Sequence, residues 1–231
     1  MKILGVIPAR SGSKAIKLKN IKVFNNKPLI YWTIKSAKKS KLSKLIVSTD
    51  SKKIKKISEY YGCEVPFLRP KNISGDKTKG IEVIQHALKF YEKKKIERFD
   101  AVMTLQPTCP FRITEDINKA IQIMKTKRAD SVISLVDVEG FHPARMKYIV
   151  NGKIKNPTFA KNDNLPRQKL KKTYLRSGLI YLVKTKLIKK NILLSNKTYP
   201  LITPTNRSFN IDTQLDFDIA EIYMKNNLKK K

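Results

Sequence analysis

The sequence is poor in cysteine and histidine, and it has no long hydrophobic run. Its two cysteines, Cys63 and Cys109, allow at most one disulfide, and a chain of 231 residues does not need one. No window approaches about 18 consecutive apolar residues, which excludes a transmembrane helix. There is neither a Ser-His-Asp arrangement nor a metal-binding Cys/His spacing, so a triad hydrolase and a zinc site are excluded. The first residues lack a signal-peptide pattern, and we expect a cytoplasmic protein without a membrane partner.

Acidic residues are also scarce: 18 Asp and Glu stand against 50 Lys and Arg, giving a formal net charge of +32. Such an excess is typical of proteins that bind nucleic acid, because phosphate contacts dominate that affinity. The lysines, however, are spread over amphipathic segments along the whole chain, which favours solvent-facing helix surfaces. We therefore keep nucleic-acid binding as the alternative function and expect no specific nucleic-acid partner. The few arginines are more informative, since a planar guanidinium binds phosphate, carboxylate or a base edge bidentately.

Apolar runs alternate with amphipathic helical patterns over the first half of the chain. Continuous apolar runs predict buried strands at residues 3–8, 45–49, 101–105 and 131–136. Apolar residues at three- and four-residue spacing predict helices over residues 28–39, 52–61, 80–94 and 114–127. This alternation predicts an α/β fold with a mostly parallel central sheet and helices on both faces.

The regular pattern is lost between Glu139 and Thr173, where three prolines and a predicted Asn151-Gly152 turn interrupt it. The stretch is too short for a core of its own. We therefore interpret residues 139–173 as an inserted arm or lid within a single domain spanning residues 1–231. Regular structure is predicted again as a strand at residues 178–183 and a closing helix from about Thr213 to Lys225. Residues 226–231 are predicted to form a disordered tail.

A basic loop follows the first predicted strand. It contains, in order, Arg10, Ser11, Gly12, Ser13, Lys14, Lys19 and Asn20. Ligands of open α/β sheets bind beyond the carboxyl ends of the strands, and small residues let backbone N–H groups turn toward an anion. The spacing is neither that of a Walker loop nor that of a dinucleotide loop. The loop predicts phosphate binding, with an ordinary basic surface loop as the alternative.

The same loop resembles the P-A-R-G-G-S-K-G-x-x-x-K-N signature of the CMP-sialic acid synthetases. These acylneuraminate cytidylyltransferases include enzymes for legionaminic and pseudaminic acids. Further blocks resemble the family in the same order, at residues 48–51, 68–70, 105–112, 129–134, 167–168, 178–181 and 211–213 with 216–217. Together the blocks span nearly the whole chain. The resemblance implies a Rossmann-like nucleotidyltransferase fold and a homodimer mediated by the arm.

The resemblance also implies a reaction, in which CTP transfers CMP to the anomeric hydroxyl of a nonulosonic acid and releases pyrophosphate. This acceptor is a nine-carbon keto-acid sugar of the sialic type. Because both substrates are anionic, positioning and charge neutralisation supply most of the catalysis. Arg10, Lys14 and Lys19 fit that catalytic role. A nucleotidyltransferase for a different acidic sugar is a further alternative.

The resemblance implies the rest of the nucleotide site as well. Its predicted residues are Arg10, Ser11, Gly12, Ser13, Lys14, Lys19, Asn20 and Arg69. By the family's pattern, Asn20 and Arg69 contact the cytidine, and Arg69 contacts the base edge. A salt bridge at a strand end is the alternative role for Arg69.

The predicted sugar pocket combines the loop at residues 106–112 with the arm. Gln106 follows a buried strand and offers both a donor and an acceptor to sugar hydroxyls. Arg167 and Gln168 of the arm complete the predicted substrate-binding residues. Cys109 stands where the family usually has Ser, and Ser177 stands where it commonly has Asn. We interpret Cys109 as a small space-filling residue, because nothing near it in the sequence indicates an activated thiolate.

The predicted metal site lies just before the closing helix. The family pattern often has D-I-D here for Mg²⁺, whereas this chain has Asn210, Ile211 and Asp212. Asp212 is thus the only carboxylate of the pair, and Asn210 can bind a metal through its amide oxygen or through a water. Asp216 is predicted to cap the closing helix, because Thr213 and Asp216 have the spacing of a capping box.

Overall fold

The computed structural model describes residues 1–94, 96–159 and 164–228. Its strands are β1 (Ile3–Pro8), β2 (Val23–Phe24), β3 (Lys27–Pro28), β4 (Lys44–Ser48), β5 (Ala101–Thr104), β6 (Ser131–Asp137), β7 (Tyr148–Val150), β8 (Lys153–Lys155), β9 (Tyr174–Lys184) and β10 (Thr198–Ile202). Its α-helices are α1 (Leu29–Lys38), α2 (Lys52–Tyr60), α3 (Gly80–Lys93), α4 (Thr114–Thr126), α5 (Thr185–Lys189) and α6 (Gln214–Leu228).

Six strands form the central sheet, in the order β10-β6-β9-β5-β1-β4. All neighbouring pairs are parallel except the two that involve β9, which runs antiparallel between β5 and β6. The predicted mostly parallel sheet is confirmed. The edge strand β10 was not predicted; it is short and contains Pro200, a residue that sheets tolerate only at an edge.

Side chains of β1 alternate between the two faces of the sheet. Ile3 and Ile7 pack into a core with α1, α2 and α4, whereas Leu4 and Val6 pack into a second core with α3 and α5. A third cluster buries one face of α6 against the segment that follows the basic loop. Helices therefore cover both faces, as predicted from the alternating pattern.

The predicted boundaries differ from the structure mainly at chain turns. The first helix begins at Leu29, because Pro28 belongs to β3. The closing helix continues to Leu228, so residues 226–228 of the predicted disordered tail are helical and that part of the prediction is wrong. Residues 229–231 lie outside the described residues. In the part of the chain that is described, no helix combines the length and apolar character needed to cross a membrane.

The arm (residues 139–173) leaves the sheet after β6 and returns at β9. It contains the hairpin β7-β8, which turns at Asn151 and Gly152. Their φ angles of 51° and 72° are the left-handed pair that a two-residue hairpin turn requires, so the predicted turn is confirmed. Residues 160–163 of the arm lie outside the described residues. No strand was predicted for this hairpin, because both strands are short and all their residues are exposed.

Candidate active site

A cleft of about 470 Å³ opens at the carboxyl ends of β1 and β5. Its walls come from the basic loop, the segment before α3, the loop after β5, and Asp212 just before α6. The polar lining residues include Arg10, Ser13, Lys14, Lys19, Asn20, Arg69, Ser74, Asp76, Thr78, Gln106, Thr108 and Asp212. Six of the eight predicted nucleotide-binding residues therefore line one cleft, and Ser11 and Gly12 lie between lining residues.

The basic loop is fixed to the neighbouring strand by Asp50, which follows β4. The Ser11 N–H donates to Asp50 Oδ1 at 2.9 Å, and Ser11 Oγ donates to Asp50 Oδ2 at 2.6 Å. Burial raises the pKa of Asp50, but the hydrogen bonds from Ser11 outweigh it and hold that pKa below its usual range. Ser11 therefore supports the loop through Asp50, a role that the sequence pattern did not indicate.

Asn20 supports the same loop from its other side. Its side chain is buried, and Nδ2 donates to the main-chain carbonyl of Arg10 at 2.9 Å. Two residues before Asn20, Leu18 has a left-handed backbone with φ 53°, an unusual conformation for a residue with a branched side chain. Leu18 begins the short 3₁₀ turn that carries Lys19 and Asn20 into the cleft. Strained backbone of this kind is common at functional sites.

Lys19 bridges the basic loop and the segment before α6. Its Nζ donates to the carbonyl of Ile211 at 2.6 Å and lies 3.4 Å from Asp212 Oδ1. The Lys19 side chain is only 12% exposed, so its charge acts with little screening by water. The structure thus brings a predicted catalytic cation next to the predicted metal ligand.

Arg10 and Lys14 share one acidic partner that the sequence analysis missed. Arg10 Nη1 lies 2.8 Å from Asp76 Oδ1, and Lys14 Nζ lies 2.8 Å from Asp76 Oδ2. Hydrogen bonds from Lys14 and Arg10 lower the pKa of Asp76. Asp76 belongs to the loop between Arg69 and α3, and only folding brings it opposite the two cations.

Arg69 is buried in the wall of the cleft. Its main-chain N–H donates to the Thr49 carbonyl at 2.7 Å, and its side-chain Nε donates to Ser74 Oγ at 3.2 Å. Burial lowers the pKa of the guanidinium, Asp50 opposes that shift and Arg10 adds to it. Among the described residues no acidic group forms an ion pair with Arg69, so the salt-bridge alternative is not supported. Arg69 also lines the cleft.

The loop after β5 lies close to the strand β9. Gln106 lines the cleft, and its Oε1 would be 3.1 Å from a Cβ on Gly178, whose φ is +77°. A side chain at that position would be strained by the positive φ and would crowd both Gln106 and Cys109. Cys109 is fully buried, with Sγ 3.7 Å from the Ser177 carbonyl, and burial raises the pKa of its thiol. This agrees with the space-filling role predicted for Cys109.

Arg112 holds this loop together from within. Nε donates to the Leu179 carbonyl at 2.7 Å, and Nη2 donates to the Gln106 carbonyl at 2.8 Å. Nη1 donates to Thr33 Oγ1 at 3.0 Å, which ties the loop to α1. Burial lowers the pKa of Arg112 to about 10. This arginine therefore serves the structure beneath Gln106, whereas its residue type alone had indicated ligand binding.

The segment before α6 carries the predicted metal ligands. Asn210 Nδ2 donates to Asp212 Oδ2 at 2.6 Å, and the Asp212 side chain is 67% exposed. Asp216 Oδ2 accepts from the N–H groups of Asp212 and Thr213, and its own N–H donates to Thr213 Oγ1. The predicted capping box is confirmed. Asp216 is therefore engaged in capping, which leaves Asp212 as the carboxylate of this segment that lines the cleft.

Two predicted substrate residues lie away from this cleft. Arg167 and Gln168 form an exposed 3₁₀ turn on the arm, and neither lines the cleft of the single chain. Their substrate roles stay predictions. The structure thus brings together the nucleotide, catalytic and metal residues and Gln106, but not the arm residues.

A cation-lined cleft at the carboxyl ends of a mostly parallel α/β sheet is typical of proteins that bind phosphorylated ligands. The cytidylyltransferase family profile matches residues 4–228. The post-translational flagellin modification protein B of Campylobacter coli is 34% identical over 233 residues, covering 99% of this chain and 98% of that protein. The CMP-N,N'-diacetyllegionaminic acid synthase of Legionella pneumophila is 33% identical over 231 residues, covering 98% of both chains.

The fold also resembles the folds of solved structures. A CMP:2-keto-3-deoxy-manno-octonic acid synthetase in complex with CTP superposes with a TM-score of 0.73 at 16% identity, covering 98% of this chain and 100% of the other. That likeness shows a shared fold, in keeping with the predicted nucleotidyltransferase architecture. The chain belongs to the cytidylyltransferase family.

Proposed function

We propose that this cytidylyltransferase transfers CMP from CTP to the anomeric hydroxyl of a nonulosonic acid and releases pyrophosphate. One observation carries the proposal: Arg10, Lys14 and Lys19 meet in a single cleft at the carboxyl ends of the strands. The full-length similarity to a protein named as a diacetyllegionaminic acid synthase supports the acceptor class. The cleft also explains the arginine and lysines of the basic loop without invoking nucleic acid.

Arg10, Lys14 and Lys19 neutralise the negative charge of the substrates during the reaction. Arg10 and Lys14 bind the outer phosphates of CTP, which leave as pyrophosphate. Lys19 lies deeper in the cleft and stabilises the charge that develops at the α-phosphate as the sugar hydroxyl attacks. Fixed cations in a site shielded from water need no reorganisation when the charge develops, which is why they lower the barrier.

The cytidine lies against Arg69 and the segment around Thr78. Arg69 is buried and uses Nε for Ser74, which leaves its terminal nitrogens for the base edge. Asn20 holds the Arg10 carbonyl and so fixes the loop beneath the nucleotide. A buried guanidinium suits this role because it stays planar and presents paired donors.

Magnesium is the cofactor that we propose. Mg²⁺ is commonly bound by one or two carboxylates together with substrate phosphates and waters. Asp212 supplies an exposed carboxylate in the cleft, which fits an ion held by one carboxylate and by substrate phosphates. Asn210 turns its Nδ2 toward Asp212 and its Oδ1 toward Cys109 Sγ, so its amide would have to turn to ligate the ion. When bound, the ion would neutralise phosphate charge beside Lys19.

The arm supports a homodimer and the second half of the sugar site. Its side chains Phe141, Ile149 and Ile154 are each at least 75% exposed, an apolar surface that packing against a second copy would cover. Gln106 contacts sugar hydroxyls within the cleft, and Arg167 and Gln168 act from the arm. Sedimentation of the purified protein tests the dimer. Because the donor is a nucleotide of the cytoplasm, we propose a cytoplasmic location.

The function is tested by pyrophosphate release from CTP and Mg²⁺ with a panel of keto-acid sugars. Release that depends on a legionaminic, pseudaminic or sialic acid supports the proposal, and the other nucleoside triphosphates serve as controls. Release with only a shorter acidic sugar would place the protein with a different acceptor. No release with any sugar refutes the assignment. Binding to arbitrary DNA with a steep salt dependence would favour the nucleic-acid alternative.

A further inference from the structure

Asp76 forms ion pairs with Arg10 and Lys14, the two cations that the proposed function assigns to the outer phosphates. Its Oδ1 lies 2.8 Å from Arg10 Nη1, and its Oδ2 lies 2.8 Å from Lys14 Nζ. A carboxylate and a phosphate carry the same sign of charge and offer the same kind of acceptor oxygen. In this structure the side chain of Asp76 therefore stands in for a phosphate group.

The loop that carries Asp76 is anchored at both ends, and its tip, residues 75–77, makes few contacts. Arg69 ties the first end to Thr49 and Ser74, and Lys79 begins α3 at the other end by donating its N–H to Glu82. Within the described part of the chain, residues 75–77 are held by the Asp76 ion pairs and by one turn bond from Thr78 to Gly75.

That arrangement makes the carboxylate displaceable. Asp76 is exposed, and the two glycines that flank its loop, Gly75 and Gly80, have open space around the position of a Cβ. Ion pairs at such exposure are individually weak. A polyphosphate brings more charge and more acceptor oxygens to the same two cations, so it wins the competition. Both anions cannot hold the cations together without repelling each other.

We infer that Asp76 competes with the phosphate chain of the substrate for Arg10 and Lys14. The inference rests on the proposed function. Ligands that use both cations bind more weakly by the same factor, because each must displace the carboxylate first. Ligands without a phosphate chain are unaffected. After the reaction, Asp76 returns to the cations as pyrophosphate leaves, which favours product release.

The test is calorimetric titration of CTP, pyrophosphate and cytidine into the wild type, Asp76→Asn and Glu92→Gln. Glu92 is the matched control, since it forms a 2.7 Å ion pair with Lys189 and lies outside the cleft. We expect Asp76→Asn to bind CTP and pyrophosphate about three- to tenfold more tightly, with cytidine unchanged. Glu92→Gln should match the wild type for all three ligands.

Equal or weaker binding of pyrophosphate by Asp76→Asn overturns the inference, because Asp76 would then support the site instead of competing for it. Asp76→Ala repeats the test without an amide that could donate to phosphate, and thermal melts confirm that each variant is folded. If the wild type binds pyrophosphate but not CTP, the proposed function fails, and the pyrophosphate titration still decides the role of Asp76.

Discussion

Removing the Lys19 ammonium should slow the reaction far more than removing that of Lys17, an exposed lysine of the same loop outside the cleft. Lys19 Nζ is held at 2.6 Å by the Ile211 carbonyl, and its side chain is 12% exposed. With an effective dielectric constant of about 20, a unit charge about 4 Å away interacts by about 4 kcal/mol. That energy corresponds to roughly a thousandfold in rate. We therefore expect kcat of Lys19→Ala to fall by about a thousandfold.

The control is Lys17→Ala, two residues earlier on the same loop. Lys17 is exposed and does not line the cleft. Its charge is screened by water, so its loss should change kcat by less than about threefold. Lys19→Met preserves the volume of the stem and separates the loss of charge from the loss of packing. Pyrophosphate release measured at saturating CTP gives kcat for each variant, and full turnover by folded Lys19→Ala would remove Lys19 from the mechanism.

Two further predictions concern the support of the site and its metal. Arg112→Met should lower the free energy of unfolding by about 3–5 kcal/mol, since two buried carbonyls and a hydroxyl lose their donor; urea denaturation measures this, and a loss below about 1 kcal/mol contradicts it. Asp212→Ala should lose both turnover and the response to added Mg²⁺, whereas Asn210→Asp should retain or raise both, because it restores a second carboxylate. Turnover titrated with Mg²⁺ checks both variants, and an unchanged Mg²⁺ response in Asp212→Ala would exclude Asp212 as a ligand.

The sequence predicts most of the sheet because its strands are buried on both faces. Runs such as residues 3–8 and 131–136 are mostly apolar and buried along nearly their whole length, and this pattern has few structural alternatives. Strand β10 was not predicted because Pro200 interrupts its five-residue segment and because its residues are unevenly buried. The closing helix is predicted too short, since its last polar residues carry no apolar periodicity.

Seven of the eight residues predicted for the nucleotide site were recognisable in the sequence because they follow one strand in a short basic stretch. The groups that organise them were not. Asp76 meets Arg10 across 66 positions, and Asp50 meets Ser11 across 39, so neither pairing leaves a local pattern. Arg112 shows a second limit of prediction from sequence. An arginine whose guanidinium donates to main-chain carbonyls cannot be told from a ligand-binding arginine by residue type alone. Residue type indicates what a side chain can do, and only the fold decides where it does it.

The single antiparallel strand decides where the arm leaves and rejoins the sheet. Because β9 reverses direction, the chain exits after Asp137 and re-enters at Tyr174 on the same rim, at the carboxyl ends of the parallel strands. Everything between those two points is a detour that starts and finishes in one place. A change in the length of that detour would leave β6 and β9 in register, because their pairing fixes both ends of the arm.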